Sequence, residues 1–215
     1  MDIAAIEWLK GIAAERLPQD DPSHDLSHAL RVMRNAQLIA SQQLGEMEIL
    51  IPASLFHDLI NPPKCSPEAR LGPDRSAEEA AKILGRLDDY PDFFIREVER
   101  CIRECSFTNG LRPSSVESAI LQDADLLESL GAVSIMRTFA SSGKINRAFY
   151  DAQDPFARSR EPNPKKYALD LFQTRLLKAN AKLNTETAKQ MAHEREMFLH
   201  VFLSQLAQEI GQTYP

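Results

Sequence analysis

Residues 50–63 read LIPASLFHDLINPP, an apolar run that leads directly into adjacent His57 and Asp58 and is then stopped by Asn61, Pro62 and Pro63. Apolar spacing carried back to Met47 predicts a helix over about 47–59, with Pro52 tolerated in an early turn or producing a kink. Pro62 and Pro63 forbid its continuation. A helix end needs polar groups for its orphan carbonyls, which accounts for one polar residue here. A histidine joined to an aspartate also offers an imidazole nitrogen and a carboxylate to a cation, provided other helices bring further ligands. The partners must therefore be sought elsewhere in the chain.

Helical spacing extends almost throughout. Ile3, Ile6, Trp8, Leu9 and Ile12 predict a first helix ending near Leu17 and Pro18, with Trp8 in the core. The second helix is expected to use Asp21 as N-cap and Pro22 as its first residue. Its apolar stripe is Ala29, Val32, Met33, Ala36, Ile39 and Ala40, and Gly45 is the stop. Further helices are expected near 74–89, 91–106 and 114–130, with two more over 167–183 and 186–210. Residues 61–75, with four prolines and one glycine, read as a loop. Residues 141–166 read as a long functional loop or a pair of short elements. With no useful strand alternation, the expectation is all-α: a single domain over 1–215 of about eight helices. Its core spans about 21–131, and helices in 132–215 complete the bundle and the substrate pocket.

The composition agrees with that class. Of 215 residues, 43% are hydrophobic and 26% charged, which suits a soluble domain with a continuous core. A net charge of -6 gives no global attraction to nucleic acid or an anionic membrane. The stretch MDIAAIEWLKGIAAERL lacks the basic start and apolar run of a signal peptide, and no stretch approaches the roughly 18 apolar residues of a membrane span. Three cysteines, Cys65, Cys101 and Cys105, form no CxxC pair, so reduced thiols in the cytoplasm are expected. Cys101 and Cys105, four apart on a helix, are expected to pack in the core.

Five histidines occur: His24, His28, His57, His193 and His200. His28 on the second helix, His57 and Asp58 on the third, and one more carboxylate could converge on a divalent ion. The fourth ligand is sought in AILQDADLLESLGA, residues 119–132, where Asp123 and Asp125 interrupt an apolar helix. Two positions on a helix differ by roughly 200°, so only one of the pair can aim at the ion. A carboxylate on so apolar a helix is costly unless paired or bound to a cation. His24 is assigned to helix-start chemistry, with contact to substrate or to a ligand as the alternative. His193 and His200 are read as structural or solvated. Tyr150 and Phe156 are expected to cap the core, with stacking on a base as the alternative.

HALRV, FHDL and DADLLESLGA, in that order, resemble the H…HD…D pattern of the HD-domain superfamily of metal-dependent phosphohydrolases. SHDLSHALRV, ILQDADLLESLGA, DPFARSREP and YALDLFQTRLLK extend the likeness over nearly the whole chain. Together they resemble a small bacterial stand-alone branch that includes nucleotide pyrophosphohydrolases. The resemblance implies a helical bundle and a metal set of His28, His57, Asp58 and Asp125, with Asp123 ordering water or supporting a ligand. It implies one divalent ion, Mn or else Mg, Co, Ni or Fe, which two imidazoles and two carboxylates suit. Relatives with two metals use extra histidines between the HD pair and the last aspartate. None occurs here between Asp58 and Asp125, which favours a mononuclear site. Asn61 stands where some HD nucleotidases carry a glutamate.

The activity implied is hydrolysis of nucleotides, with release of pyrophosphate or phosphate from nucleoside or deoxynucleoside triphosphates. A 5′-nucleotidase and a non-catalytic nucleotide- or metal-binding regulatory module are the alternatives. Asp58, Asp123 and Arg31 are the catalytic candidates; Arg31, three residues past His28, shares its helix face. Lys64, Arg70, Lys144, Arg147, Arg158 and Lys165 are candidates to hold phosphate charge. The partner is a small phosphorylated metabolite. The outer apolar stripe FLHVFLSQL is compatible with a homodimer.

Overall fold

The computed structural model describes residues 1–19, 21, 23–62, 66–106 and 110–214. Two compact units, Met1–Asp125 and Leu126–Pro215, divide the chain, whereas the sequence placed the join between core and completing helices at 131–132. Among the described residues there are nine α-helices, four short 3-10 turns and no strand. None of the helices is long and apolar enough to cross a membrane.

The first unit contains α1 (Ile3–Arg16), α2 (Leu26–Ala40), α3 (Met47–Phe56), α4 (Gly72–Leu84), α5 (Asp92–Cys105) and α6 (Val116–Leu126), whose last residue crosses the division. Asp2 caps α1 by accepting from the Ala5 N–H. The α2 cap is Asp25, which accepts from the His28 N–H at 2.8 Å, and not the expected Asp21. Asp21 instead shapes the preceding turn, its carboxylate accepting from the Ser23 N–H and its carbonyl from the His24 N–H. Pro22 lies outside the described residues. Trp8, expected in the core, is 37% exposed, because Leu9 and Ala13 form the fully enclosed face of α1.

Pro52 lies inside α3 without breaking it. A proline there cannot donate to the carbonyl four residues back, that of Glu48. The Tyr90 hydroxyl donates to that carbonyl instead, so the missing helix bond is replaced from the connection before α5. All of α3 from Ile49 to Phe56 is buried, which explains its uniformly apolar sequence. After α3 the chain is held to α4: the Ile60 N–H donates to the Ser76 hydroxyl, which in turn donates to the Ile60 carbonyl. Cys101 and Cys105 are buried on α5, as their spacing predicted, and burial pushes the Cys101 thiol up to about 11.

The second unit contains α7 (Gly131–Lys144), α8 (Asp170–Thr174) and α9 (Glu186–Glu209). The sequence reading missed α7, because its buried face is Ser134, Thr138 and Ser142, spaced four apart but not apolar. Gly131, at φ +73°, makes the turn into it, where an added Cβ would stand 3.2 Å from Arg195 side-chain carbons. Arg195 in turn donates to the Leu127 carbonyl at 2.8 Å. The expected single helix over 167–183 is three pieces: α8, then 3-10 turns at Leu176–Lys178 and Asn180–Lys182. The break is at Arg175, whose backbone leaves the helical region at φ -133°.

Candidate metal centre

His57 is the residue that closes α3, with helical φ and ψ, and Asp58 follows it in the turn. The His57 Nδ1–H donates to the Ser54 carbonyl at 2.9 Å, one of the carbonyls a helix end leaves without a backbone donor. That bond places the proton of a neutral imidazole on Nδ1 and leaves Nε2 as a bare lone pair. The polar residue at the helix end thus serves both readings of the FHDL stretch: one nitrogen caps the helix and the other is left for chemistry.

Four side-chain atoms from three elements come together around that Nε2. His28 Nε2, from the first turn of α2, stands 3.2 Å from it. Asp58 Oδ2 lies 3.5 Å from His57 Nε2 and 3.6 Å from His28 Nε2. Asp125 Oδ1, from the last turn of α6, lies 3.4 Å from His28 Nε2 and 4.0 Å from His57 Nε2. Metal–nitrogen and metal–oxygen bonds are about 2.1 Å, so neighbouring ligand atoms on one ion sit roughly 3 Å apart. The two histidine nitrogens stand 3.2 to 4.0 Å from each other and from the carboxylate oxygens, near that spacing. Two neutral imidazoles and two carboxylates also sum to the charge that a divalent cation balances. The donor set therefore fits such an ion, of the borderline-to-hard kind that mixed imidazole and carboxylate ligands suit.

Packing fixes these positions. His28 and His57 are enclosed, with side chains 1% and 4% exposed, and their rings meet edge-on. Asn35, buried on α2, donates to the Ala124 carbonyl at 3.1 Å and so ties α2 to the turn of α6 that carries Asp125. Burial alone would raise the Asp58 carboxyl, but the imidazoles of His57, His24 and His28 outweigh it and hold the group well below the usual carboxylate range.

The two candidate aspartates of α6 divide differently from what inward-facing position implies. Asp123 is the one sealed in the core, at 0% exposure, and it is not among the atoms grouped around the histidines. Asp125 keeps 32% of its side chain exposed and is the one that reaches them. The cluster lies at the margin of the core, so the half-exposed carboxylate meets it.

His24 was undervalued. Its Nδ1 lies 2.6 Å from Asp58 Oδ2, and its ring packs edge-on against that of His28. The signal is its place four residues before His28, set aside because it falls in the expected first turn beside the cap. Of the basic candidates, Arg31 is half-buried on α2 and Arg70 is exposed at the 3-10 turn Pro67–Leu71. Lys64 lies outside the described residues. Lys144, Arg147, Arg158 and Lys165 belong to the second unit. There, Arg147 donates to the Ser142 hydroxyl at 3.3 Å, and Arg158 uses its Nη2 on the carbonyl and hydroxyl of Thr213. Lys144 and Lys165 are exposed. His193 is exposed and His200 bonds the Tyr214 hydroxyl, while Phe156 is buried.

The same residues carry the likeness to known proteins. The HD-domain family model matches residues 25–130, which include all four clustered side chains. A predicted HD superfamily hydrolase from an uncultured Thermotogales bacterium is 30% identical, with 96% of this chain and 92% of that one covered at a TM-score of 0.62. The chain belongs to the HD-domain superfamily. A second HD-superfamily hydrolase, from Bacillus thuringiensis, is 28% identical over 97% of both chains, with a TM-score of 0.74. YpgQ, an uncharacterized protein of Bacillus subtilis strain 168, is 28% identical over 204 residues, covering 94% of this chain and 90% of YpgQ. The structure of YpgQ in complex with ADP superimposes with a TM-score of 0.72 over 95% of this chain and 97% of that one. Within the HD superfamily, the FHDL stretch supplies the pair that names it.

Proposed function

We propose that this HD-superfamily chain is a divalent-metal-dependent phosphohydrolase acting on nucleotides, releasing pyrophosphate or phosphate from nucleoside or deoxynucleoside triphosphates. The observation that carries the reading is the convergence of Asp58 Oδ2 and Asp125 Oδ1 on His28 Nε2 and His57 Nε2, from three elements, with 3.2 to 4.0 Å between each histidine nitrogen and the other atoms. The ADP held by YpgQ supports a nucleotide as the substrate class.

In this reading those four side chains hold one ion, Mn or another of Mg, Co, Ni and Fe. When bound, such an ion lowers the pKa of a water and polarises a phosphoryl group. The protein's own contribution is orientation. The Ser54 carbonyl fixes the His57 ring with its Nε2 lone pair toward the cluster. His24 fixes the Asp58 carboxylate through Oδ2, the same oxygen that faces both other imidazoles. Asp58 is proposed as a catalytic carboxylate as well as a ligand. Arg31 and Arg70, with Lys64, Lys144, Arg147, Arg158 and Lys165, are the cations proposed to offset phosphate charge.

The test is product analysis with chelator-stripped protein reloaded with Mn, Mg, Co or Ni, on nucleoside mono- and triphosphates. Pyrophosphate or phosphate released from triphosphates only after metal is restored is the expected result. Turnover of monophosphates alone would make the protein a 5′-nucleotidase. Silence over the whole panel, with metal bound, would make it a regulatory module.

A further inference from the structure

The second unit contains a pocket of about 440 Å³, open to solvent on one side, whose lining includes Arg158. Its walls include Phe156, Leu169, Phe172 and Leu203, which are otherwise buried. The volume is within the range of small-molecule sites, and its walls are mostly apolar with a few polar groups, as in such sites. Covering that apolar lining removes it from water, which favours an occupant with an apolar body. A ring-bearing organic molecule fills it well.

The polar groups at the lining identify the other half of the ligand. Arg158 spends Nη2 on Thr213, and its Nε and Nη1 remain donors. Gln173 donates through Nε2 to the Phe156 carbonyl, which leaves its own carbonyl oxygen as an acceptor. Tyr214 presents a ring packed edge-on against Phe156, with its hydroxyl bonded to His200. The loop carrying Arg158 is held in place: Asp154 accepts from the N–H groups of Arg158 and Ser159, and Ala157 is fixed at φ 46°. A fixed cation beside an aromatic, apolar chamber suits an anionic group on a flat ring system.

We infer that this pocket of the second unit is itself a binding site for a ring-bearing organic anion. Anilinonaphthalene sulfonate, two rings and one sulfonate, is the probe. The full chain is expected to bind one probe molecule per chain with enhanced fluorescence. Arg158→Ala should weaken binding about tenfold, the loss of one charge-assisted contact. Leu177→Trp, a filling change at a half-buried wall position, should abolish it while the circular dichroism spectrum and melting temperature stay close to the parent values. Wild-type affinity in both variants, or several probe molecules per chain with no change on filling, would place binding elsewhere and overturn the inference. Because the readout is probe binding, its failure is independent of any failure of the hydrolase reading.

Discussion

His57→Ala should lower kcat/KM on nucleoside triphosphates by on the order of 10³-fold or more, and the purified variant should lose its divalent ion on dialysis. The size follows from what one ring does. Its Nε2 is within 4.0 Å of all three other members of the cluster, so its removal takes away one of the two imidazole ligands and opens a gap that borders every remaining one. The cost to folding is smaller. Loss of the Nδ1 bond to Ser54 frees one helix-end carbonyl, worth about 1 kcal/mol. Metal content by atomic absorption, kcat/KM and far-UV circular dichroism on one preparation separate the two effects. The expected pattern is near-parental helix content with metal and turnover gone. Turnover within tenfold of the parent would remove His57 from the chemistry, and a wholly unfolded chain would make its role structural first.

Arg160→Ala should destabilise the protein by about 3 kcal/mol, seen as a melting temperature lower by roughly 10 °C. Asp170, 1% exposed at the start of α8, receives both arms of the Arg160 guanidinium at 2.5 and 2.8 Å and the Asn163 N–H at 2.6 Å. The same guanidinium donates to the Asp154 carbonyl and lies 4.8 Å over the Tyr167 ring. Removing it leaves a buried carboxylate short of two donors and unpins the loop between α7 and α8. Arg160→Lys keeps the charge but not the planar fork, so it should recover less than half of the loss. A melting temperature for Arg160→Ala within 2 °C of the parent would show that the loop is held by other contacts.

These two positions mark what the sequence discloses. The helices with apolar stripes, α2 and α5 above all, are readable from spacing. So is the FHDL stretch, because a proline stop, an apolar run and two ligating residue types coincide there. α7 is harder to read: Ala132, Ile135, Met136, Phe139 and Ala140 recur at helical spacing, but the face it buries is the polar one of Ser134, Thr138 and Ser142. The break at Arg175 depends on backbone geometry that an unbroken run of helix formers conceals. At the candidate site, His28, His57 and Asp58 could be paired by residue type and by helix. The choice between Asp123 and Asp125 could not, because both interrupt the same stripe and only tertiary packing decides which is sealed and which reaches the cluster. His24 falls in the expected first turn of the second helix, whereas that helix starts after Asp25 and the turn before it brings His24 to Asp58. Arg160, passed over among many basic residues, is bound to Asp170 by a fold the local sequence does not specify.

The most direct test of the central claim is calorimetric titration of Mn²⁺ into chelator-stripped protein, comparing wild type with Asp125→Asn and Asp123→Asn. One ion per chain is expected in the wild type. Asp125→Asn should weaken binding about a hundredfold, close to 2.7 kcal/mol, and Asp123→Asn should bind within about threefold of wild type. Unchanged affinity in Asp125→Asn, or lost binding in Asp123→Asn alone, would contradict the assignment of these four side chains as the metal centre.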